Sequence, residues 1–246
     1  MELPAWKTTR EVFAYCWQER RLAVRHGAAP FAIALAASVA VEAWKPFGDS
    51  LLAGVENGAV IGIIQLLIYV PLSVTWFRII VYGESAARNR PLFSFGRLER
   101  RLLLWQLLLL AIVAPPLGIM AAILFSTGVG EGNGPGSAAF FYALAGYIAV
   151  AVTALLLLSR FSLVLVLAAA DRPVTFAAAW RLTRGLGWKL LRALMAITAV
   201  AAPISMVADL LPVVGPVVDN IGSMATLLAM ATLFGQVYVR LTAMPD

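Results

Sequence analysis

The sequence predicts an all-α protein, a polytopic membrane helical bundle of six transmembrane helices with interfacial amphipathic helices. Three observations carry that expectation. The 246 residues are 61% hydrophobic and only 13% charged, with mean hydropathy +0.87, against roughly 25% charged residues in a soluble domain. The apolar residues fall in runs of the ~20 residues that a bilayer crossing requires. Positive charge gathers at alternate ends of those runs. One integral membrane domain uses up the whole length.

A single cysteine, Cys16, and a single histidine, His26, exclude an intrachain disulfide and a Cys/His metal cluster. No cofactor is expected. Residues 1–25 hold no apolar run of ~7–15 residues and do not read as a cleaved signal peptide. Arginine outnumbers lysine 16 to 3 and alanine is abundant, a composition that points to a GC-rich bacterial genome.

Residues 1–25 read as an amphipathic helix. Thr8, with Glu11 three residues later, is a capping-box pattern. Val12, Phe13, Cys16 and Trp17 share a helical face, and Arg10, Arg20, Arg21 and Arg25 add charge. Two placements fit: in the headgroup layer, or packed on the bundle. Span 1 covers about 26–44, with Pro30 expected in its first turn, where a missing N–H costs nothing. His26 reads as interfacial. Ala36 and Ala40 offer a small-residue face for close packing.

Span 2 covers about 58–81. Gly58 to Gly62 is a GxxxG through which another backbone could approach, and Pro71 is expected to kink the helix. Residues 84–101 are a connector with five arginines. Span 3, about 102–125, contains Pro115-Pro116, where a kink or a short unwound turn is expected. A glycine-rich loop follows over 127–137.

Span 4 covers about 138–160. The apolar run from Ala138 to Ala170 is 33 residues, or ~50 Å of helix at ~1.5 Å per residue. That exceeds a ~30 Å hydrocarbon core, so Arg160 marks the interface. Residues 161–170 then either continue as a helix packed on the bundle or run along the interface. Asp171-Arg172-Pro173 ends the helix, since a residue before proline leaves the α region. Phe176, Trp180, Arg184 and Trp188 form a second amphipathic segment with aromatics at headgroup level. Gly185 and Gly187 mark the bend into span 5, about 190–211. Span 6, about 217–241, follows Pro212 and Pro216.

Charge sets the orientation, because lysine and arginine stay on the cytoplasmic side of short loops. With six spans and the N-terminus inside, 18 of the 19 basic residues fall inside, and only Lys45 falls outside. Glu42, Asp49, Glu56, Glu131, Asp209 and Asp219 fall outside. The expected location is the bacterial inner membrane, with both termini cytoplasmic.

Arg78, Arg160 and Arg240 each end an even-numbered span, 82 and 80 residues apart. Arg90-Pro91 follows Arg78 as Arg172-Pro173 follows Arg160. Phe13-Ala14-x-x-Trp17-x-x-x-Arg21 returns as Phe176-Ala177-x-x-Trp180-x-x-x-Arg184. These echoes predict three repeats of about 80 residues, each a surface segment plus a helical hairpin, as in transporter folds with internal repeats. The series Ser159-Arg160-Phe161-Ser162, Asp171-Arg172-Pro173 and Ala179-Trp180-Arg181-Leu182-Thr183-Arg184-Gly185 resembles a signature of small bacterial inner-membrane proteins. These are the YciC-like proteins and the membrane domain fused to some glycerophosphodiester phosphodiesterases. Leu167 stands where many relatives have proline. The resemblance implies a six-helix inner-membrane protein and carries over no catalytic residue.

Arg78, Arg160 and Arg240 could form a basic ring that binds a phosphate or lipid headgroup, or could snorkel singly at helix ends. Arg172, Arg181 and Arg184, with Lys189 and Arg192, could recruit anionic phospholipid at ~1 kcal/mol per charge, or express only the positive-inside bias. Asp209, Asp219 and Asn220 read as solvated residues at span ends, as do Glu56 and Asn57. Gln65, Gln106, Thr153, Thr198 and Gln236 are expected to hydrogen-bond between helices. No nucleophile–base motif, zincin motif or P-loop occurs, so an enzyme is not expected. The expected partners are the lipid bilayer, anionic phospholipid and a homo-oligomeric or other membrane-protein partner, with no nucleic acid. The expected function is a non-enzymatic scaffold or lipid-interacting protein. The alternative is a small transporter whose intramembrane cavity is lined by the three arginines.

Overall fold

The protein was analysed as a computed structural model that describes residues 5–44, 51–88, 95–129, 138–209 and 214–243. The side chains of residues 51–59, 138–140 and 205–209 are among those outside that description. All regular structure among the described residues is helical: α1 Ala5–Gln18, α2 Arg20–Trp44, α3 Leu51–Tyr82, α4 Ser85–Arg88, α5 Arg97–Val129, α6 Ala138–Phe161, α7 Leu163–Ala169, α8 Phe176–Leu182, α9 Gly187–Asp209 and α10 Gly215–Thr242. Among the described residues, five segments are long and apolar enough to cross a membrane: Arg20–Val41, Val60–Tyr82, Phe141–Ala169, Gly187–Ile204 and Gly215–Thr242.

Three helical hairpins, α2–α3, α5–α6 and α9–α10, pack along their own lengths. The third hairpin closes the bundle, with α10 against α3 and α2 and α9 against α6. The core lies along α3, α7, α9 and α10, where Trp76, Leu72, Leu163, Leu190, Ile197 and Leu233 are buried. The outward faces remain apolar, with Ile33, Ile63, Leu104, Leu110, Ile148 and Val200 exposed. A monomer in water rarely shows so continuous an apolar surface.

Several local expectations are corrected. α1 already includes Thr8, so Thr8 is no N-cap and is buried. α1 packs on α9, α10 and α2. Its buried side carries Thr8, Thr9 and Val12, while Trp17 is 71% exposed. Packing of this segment against the bundle is thus observed. α2 starts six residues before the expected span, which puts Pro30 inside the helix and buries His26. Ala36 and Ala40 face outward, and the packed side is Ala23, Ala34, Ser38 and Val41.

Helix α3 runs unbroken through Pro71, and α5 through Pro115 and Pro116, so no unwound turn forms in either. Residues 161–170 continue into the bundle as α7, which is almost wholly buried. The step at Ser162 is slight. Its hydroxyl donates to Leu158 O at 2.6 Å, a back-bond of the kind that bends helices without breaking them. The Arg90-Pro91 pair, Lys45, Asp49, Glu131 and residues 130–137 lie outside the described residues, while 127–129, expected in the glycine-rich loop, belong to α5.

Of the polar side chains expected to bond between helices, Gln65 does so, to Asn220, and two threonines do not. Thr153 and Thr198 donate to their own helices, to Ala149 O at 2.8 Å and Leu194 O at 3.0 Å. The turn-to-turn bond is always within reach, so it wins over a partner on another helix. Asn220 is no loop residue: it sits in α10 at 1% exposure. It donates to Ser38 Oγ of α2 at 3.4 Å and accepts from Gln65 Nε2 of α3 at 3.3 Å, which ties three helices together. Asp219 lies in the same first turns of α10, half-buried rather than solvated.

Close helix approach occurs at glycines other than the expected pair. Gly62 has open space around its Cα, and the side of Gly58 lies outside the described residues. By contrast, a Cβ at Gly235 would sit 2.8 Å from Ile80 Cγ2 of α3, and one at Gly222 would sit 3.0 Å from Ile204 Cγ2 of α9. Gly235→Val is therefore expected to lose about 1–3 kcal/mol through overpacking, read by reversible unfolding in mixed micelles. Gly62→Ala should be neutral or gain up to about 1 kcal/mol from its better helix propensity.

Candidate functional site: the basic, aromatic end of the bundle

A helix that ends inside a protein leaves carbonyls that need donors. α7 poses this problem, because Leu167, Ala168 and Ala169 are buried. The chain meets it first with a Schellman turn. Arg172 N–H donates to Leu167 O at 3.0 Å and Asp171 N–H to Ala168 O at 3.3 Å. Asp171 takes the left-handed conformation, φ +54°, which asparagine and aspartate tolerate better than most residues. Pro173 then prevents the helix from resuming.

The remaining carbonyls are met from neighbouring helices. Arg78 Nη1 of α3 donates to Ala169 O at 3.3 Å, and Tyr82 Oη, one turn on, donates to Ala170 O at 2.7 Å. The Arg78 guanidinium also lies 5.2 Å from the Tyr82 ring centroid. Arg101 of α5 donates to Arg172 O at 2.9 Å and to Asp171 Oδ1 at 3.2 Å. Arg97 reaches the same carboxylate oxygen at 3.7 Å. Cations at a helix C-terminus also oppose its negative dipole end.

Arg160, in the last turn of α6, stacks on Trp180 of α8, with Cζ 4.3 Å from the ring centroid. Room for it exists because residue 187 is glycine. A Cβ there would lie 2.5 Å from Arg160 Nε. Trp180 tilts against Phe161, Phe161 meets Phe176 edge-on at 4.8 Å, and Phe176 meets Trp105 edge-on at 5.0 Å. Thr175 Oγ1 caps α8 by accepting from Ala178 N–H at 3.1 Å. This short helix thus holds an aromatic ladder under the arginine.

Arg240, near the end of α10, pairs with Glu11 of α1 at 3.1 Å. Both partners are well exposed, and such pairs contribute about 0–1 kcal/mol. α1 makes a second polar contact with α10 at Cys16. Thr232 Oγ1 of α10 accepts from Trp76 Nε1–H at 2.9 Å and meets Cys16 Sγ at 3.4 Å. Burial there pushes the Cys16 thiol up. Burial first, then Glu19 and Cys16, push the Tyr15 phenol up to about 12.

The three repeated arginines thus share one end of the bundle, but each engages a different partner. Arg172, Arg181 and Arg184 are exposed at the same end. A cavity of about 720 Å³ opens there between Tyr82, Leu167, Arg172, Pro173, Leu182 and Tyr238. Two further cavities lie among the long helices, and no arginine is among their described lining residues. Among the described residues, no group of three or more His, Cys, Asp or Glu side chains could hold a metal ion.

The sequence pointed to Arg78, Arg160 and Arg240 through their spacing. It gave no sign of Arg101 and Asp171, 70 residues apart, nor of the pairing of Arg160 with Trp180. The Asp-Arg-Pro triplet was the available signal for the turn. No family model, curated protein or solved structure matched the chain.

Asp171 supplies a test of the turn. Asp171→Ala keeps the positive φ and discards the arginine contacts, so it is expected to lose about 1–2 kcal/mol in detergent unfolding. Asp171→Gly relieves the backbone while losing the same contacts, and should recover most of that loss.

Proposed function

We propose that the protein is a multi-pass bacterial inner-membrane protein that holds anionic phospholipid at its cytoplasmic end, as a non-enzymatic lipid-interacting or scaffolding component. The observation that carries this reading is the coincidence of exposed cations and exposed indoles at one end. Arg172, Arg181 and Arg184 stand beside Trp180 and Trp188, with Trp6 and Trp17 on the neighbouring α1. Indole rings favour the headgroup layer, and a planar guanidinium matches phosphate in a bidentate fork.

In this reading α5 is a sixth crossing. Its N-terminal Arg101 meets Asp171, which follows the C-terminal end of α6–α7. α5 and α6 pack as a hairpin, so α5 leads away from the basic end over 33 residues, or ~50 Å of helix. Six crossings leave both termini on one face, in keeping with the contact of α10 with α1 through Arg240 and Glu11. The positive-inside rule makes that face cytoplasmic. The order of short helix, then hairpin, occurs three times, as α1 before α2–α3, α4 before α5–α6 and α8 before α9–α10. That order supports the threefold repeat expected from the spacing of Arg78, Arg160 and Arg240.

The test is tryptophan quenching in nanodiscs that carry brominated phosphatidylglycerol or brominated phosphatidylcholine. The anionic lipid should be preferred. The triple variant Arg172→Gln, Arg181→Gln, Arg184→Gln should lose about fivefold in that preference per charge removed. Equal quenching by the two lipids in the parent protein, or an unchanged preference in the variant, would count against the reading.

A further inference from the structure

Two buried polar atoms of the bundle have no hydrogen-bond partner among the described residues: Tyr69 Oη of α3 and Gln106 Oε1 of α5. Tyr69 is only 4% exposed. Both residues line the same cavity of about 210 Å³, together with Gln65, Ser73 and Ser223. This cavity adjoins a second of about 400 Å³. The two share Leu66, Ser73, Gln106 and Leu227, so Gln106 stands at their junction.

The larger chamber is walled by carbon. Phe77, Leu155, Leu158, Leu194, Met230 and Phe234 are among its lining residues. Three hydroxyls also border it, but each donates to its own helix: Ser73 to Tyr69 O at 2.9 Å, Ser162 to Leu158 O at 2.6 Å and Thr198 to Leu194 O at 3.0 Å. With their protons already used, these oxygens can only accept, so the chamber's polar groups are few and concentrated at Gln106. Together the chambers form an apolar pocket with a polar neck, in the size class of small-ligand sites, ~300–1,000 Å³.

We infer that this pocket binds a single-chain lipid with an uncharged hydroxyl head, the chain in the larger chamber and the hydroxyl between Tyr69 and Gln106. A hydroxyl both donates and accepts, so it can meet the Gln106 carbonyl oxygen and the Tyr69 phenol at once. It does so equally well if the amide is turned over. An anionic head is disfavoured, since no cation is among the described lining residues and a bare charge at this depth is expensive. The site is separate from the basic end and does not depend on the function proposed for it.

Full-length protein in phosphatidylcholine nanodiscs, photolabelled with a diazirine analogue of hexadecanol, tests the site. Adducts mapped by mass spectrometry are expected near residues 66–77, 106 and 227–234. Excess hexadecanol should compete and hexadecane should not. Tyr69→Phe and Gln106→Leu should each cut the labelling at least fivefold. Their melting temperatures without ligand should equal or exceed the parent's, because each variant removes a buried polar atom that lacks a partner. Should Gln106→Leu fail to fold, Tyr69→Phe, which deletes one oxygen, carries the test. Labelling confined to outward side chains such as Leu104 and Ile148, equal competition by hexadecane, or labelling that Tyr69→Phe leaves unchanged would overturn the assignment.

Discussion

A guanidinium at the middle of a bilayer costs about 2.5–3.5 kcal/mol on insertion scales. That cost is the constraint from which the arrangement of this chain follows. The helices are too apolar to offer arginine a home along their length, so their basic residues stay at helix ends. Arg78, Arg160 and Arg240 end α3, α6 and α10, and Arg97 and Arg101 begin α5. The contacts among these ends, from Arg101 to Asp171 and from Arg240 to Glu11, gather them at one end of the bundle.

Three arginines in equivalent positions solve the same problem in three ways. Arg78 uses backbone carbonyls at the end of α7, Arg160 an indole face, and Arg240 a carboxylate. The first two tie α3 to α7 and α6 to α8, so the charges that mark the surface also staple the helices beneath it. A buried helix end with three side-chain donors from two other helices leaves little freedom for α7. The neighbouring aromatic ladder from Trp105 to Trp180 fixes α8 in turn. Deeper in the bundle polar contacts are sparse. Thr232 with Trp76 and Asn220 with Ser38 and Gln65 set the register of α10 against its neighbours.

Much of this was legible in the sequence. Run length and hydropathy located the long helices to within about seven residues at their starts and more closely at their ends, because burial from water depends on composition more than on partners. Asp171-Arg172-Pro173 announced the turn, since proline acts locally. What failed was whatever depends on a neighbouring helix. Gly58 and Gly62 looked like a contact motif, yet close approach falls at Gly235 and Gly222, which no local pattern distinguishes from other glycines in apolar sequence. Asn220 looked solvated beside Asp219, yet it faces Ser38, 182 residues away. Pro115 and Pro116 pass without a break. Proline removes one bond and adds a clash, and here the helix carries both prolines on an exposed stretch without an unwound turn. At the candidate site the arginines were visible and their partners were not, for the same reason.

The claim on which the account rests is that all the arginine-bearing ends face the cytoplasm. Single cysteines introduced in a Cys16→Ser background, then probed with a membrane-impermeant maleimide, test it most directly. Arg88→Cys and Arg181→Cys should react only after the cells are permeabilised, whereas Phe47→Cys and Asn133→Cys should react in intact spheroplasts. Labelling of Arg88→Cys or Arg181→Cys in intact spheroplasts would contradict it.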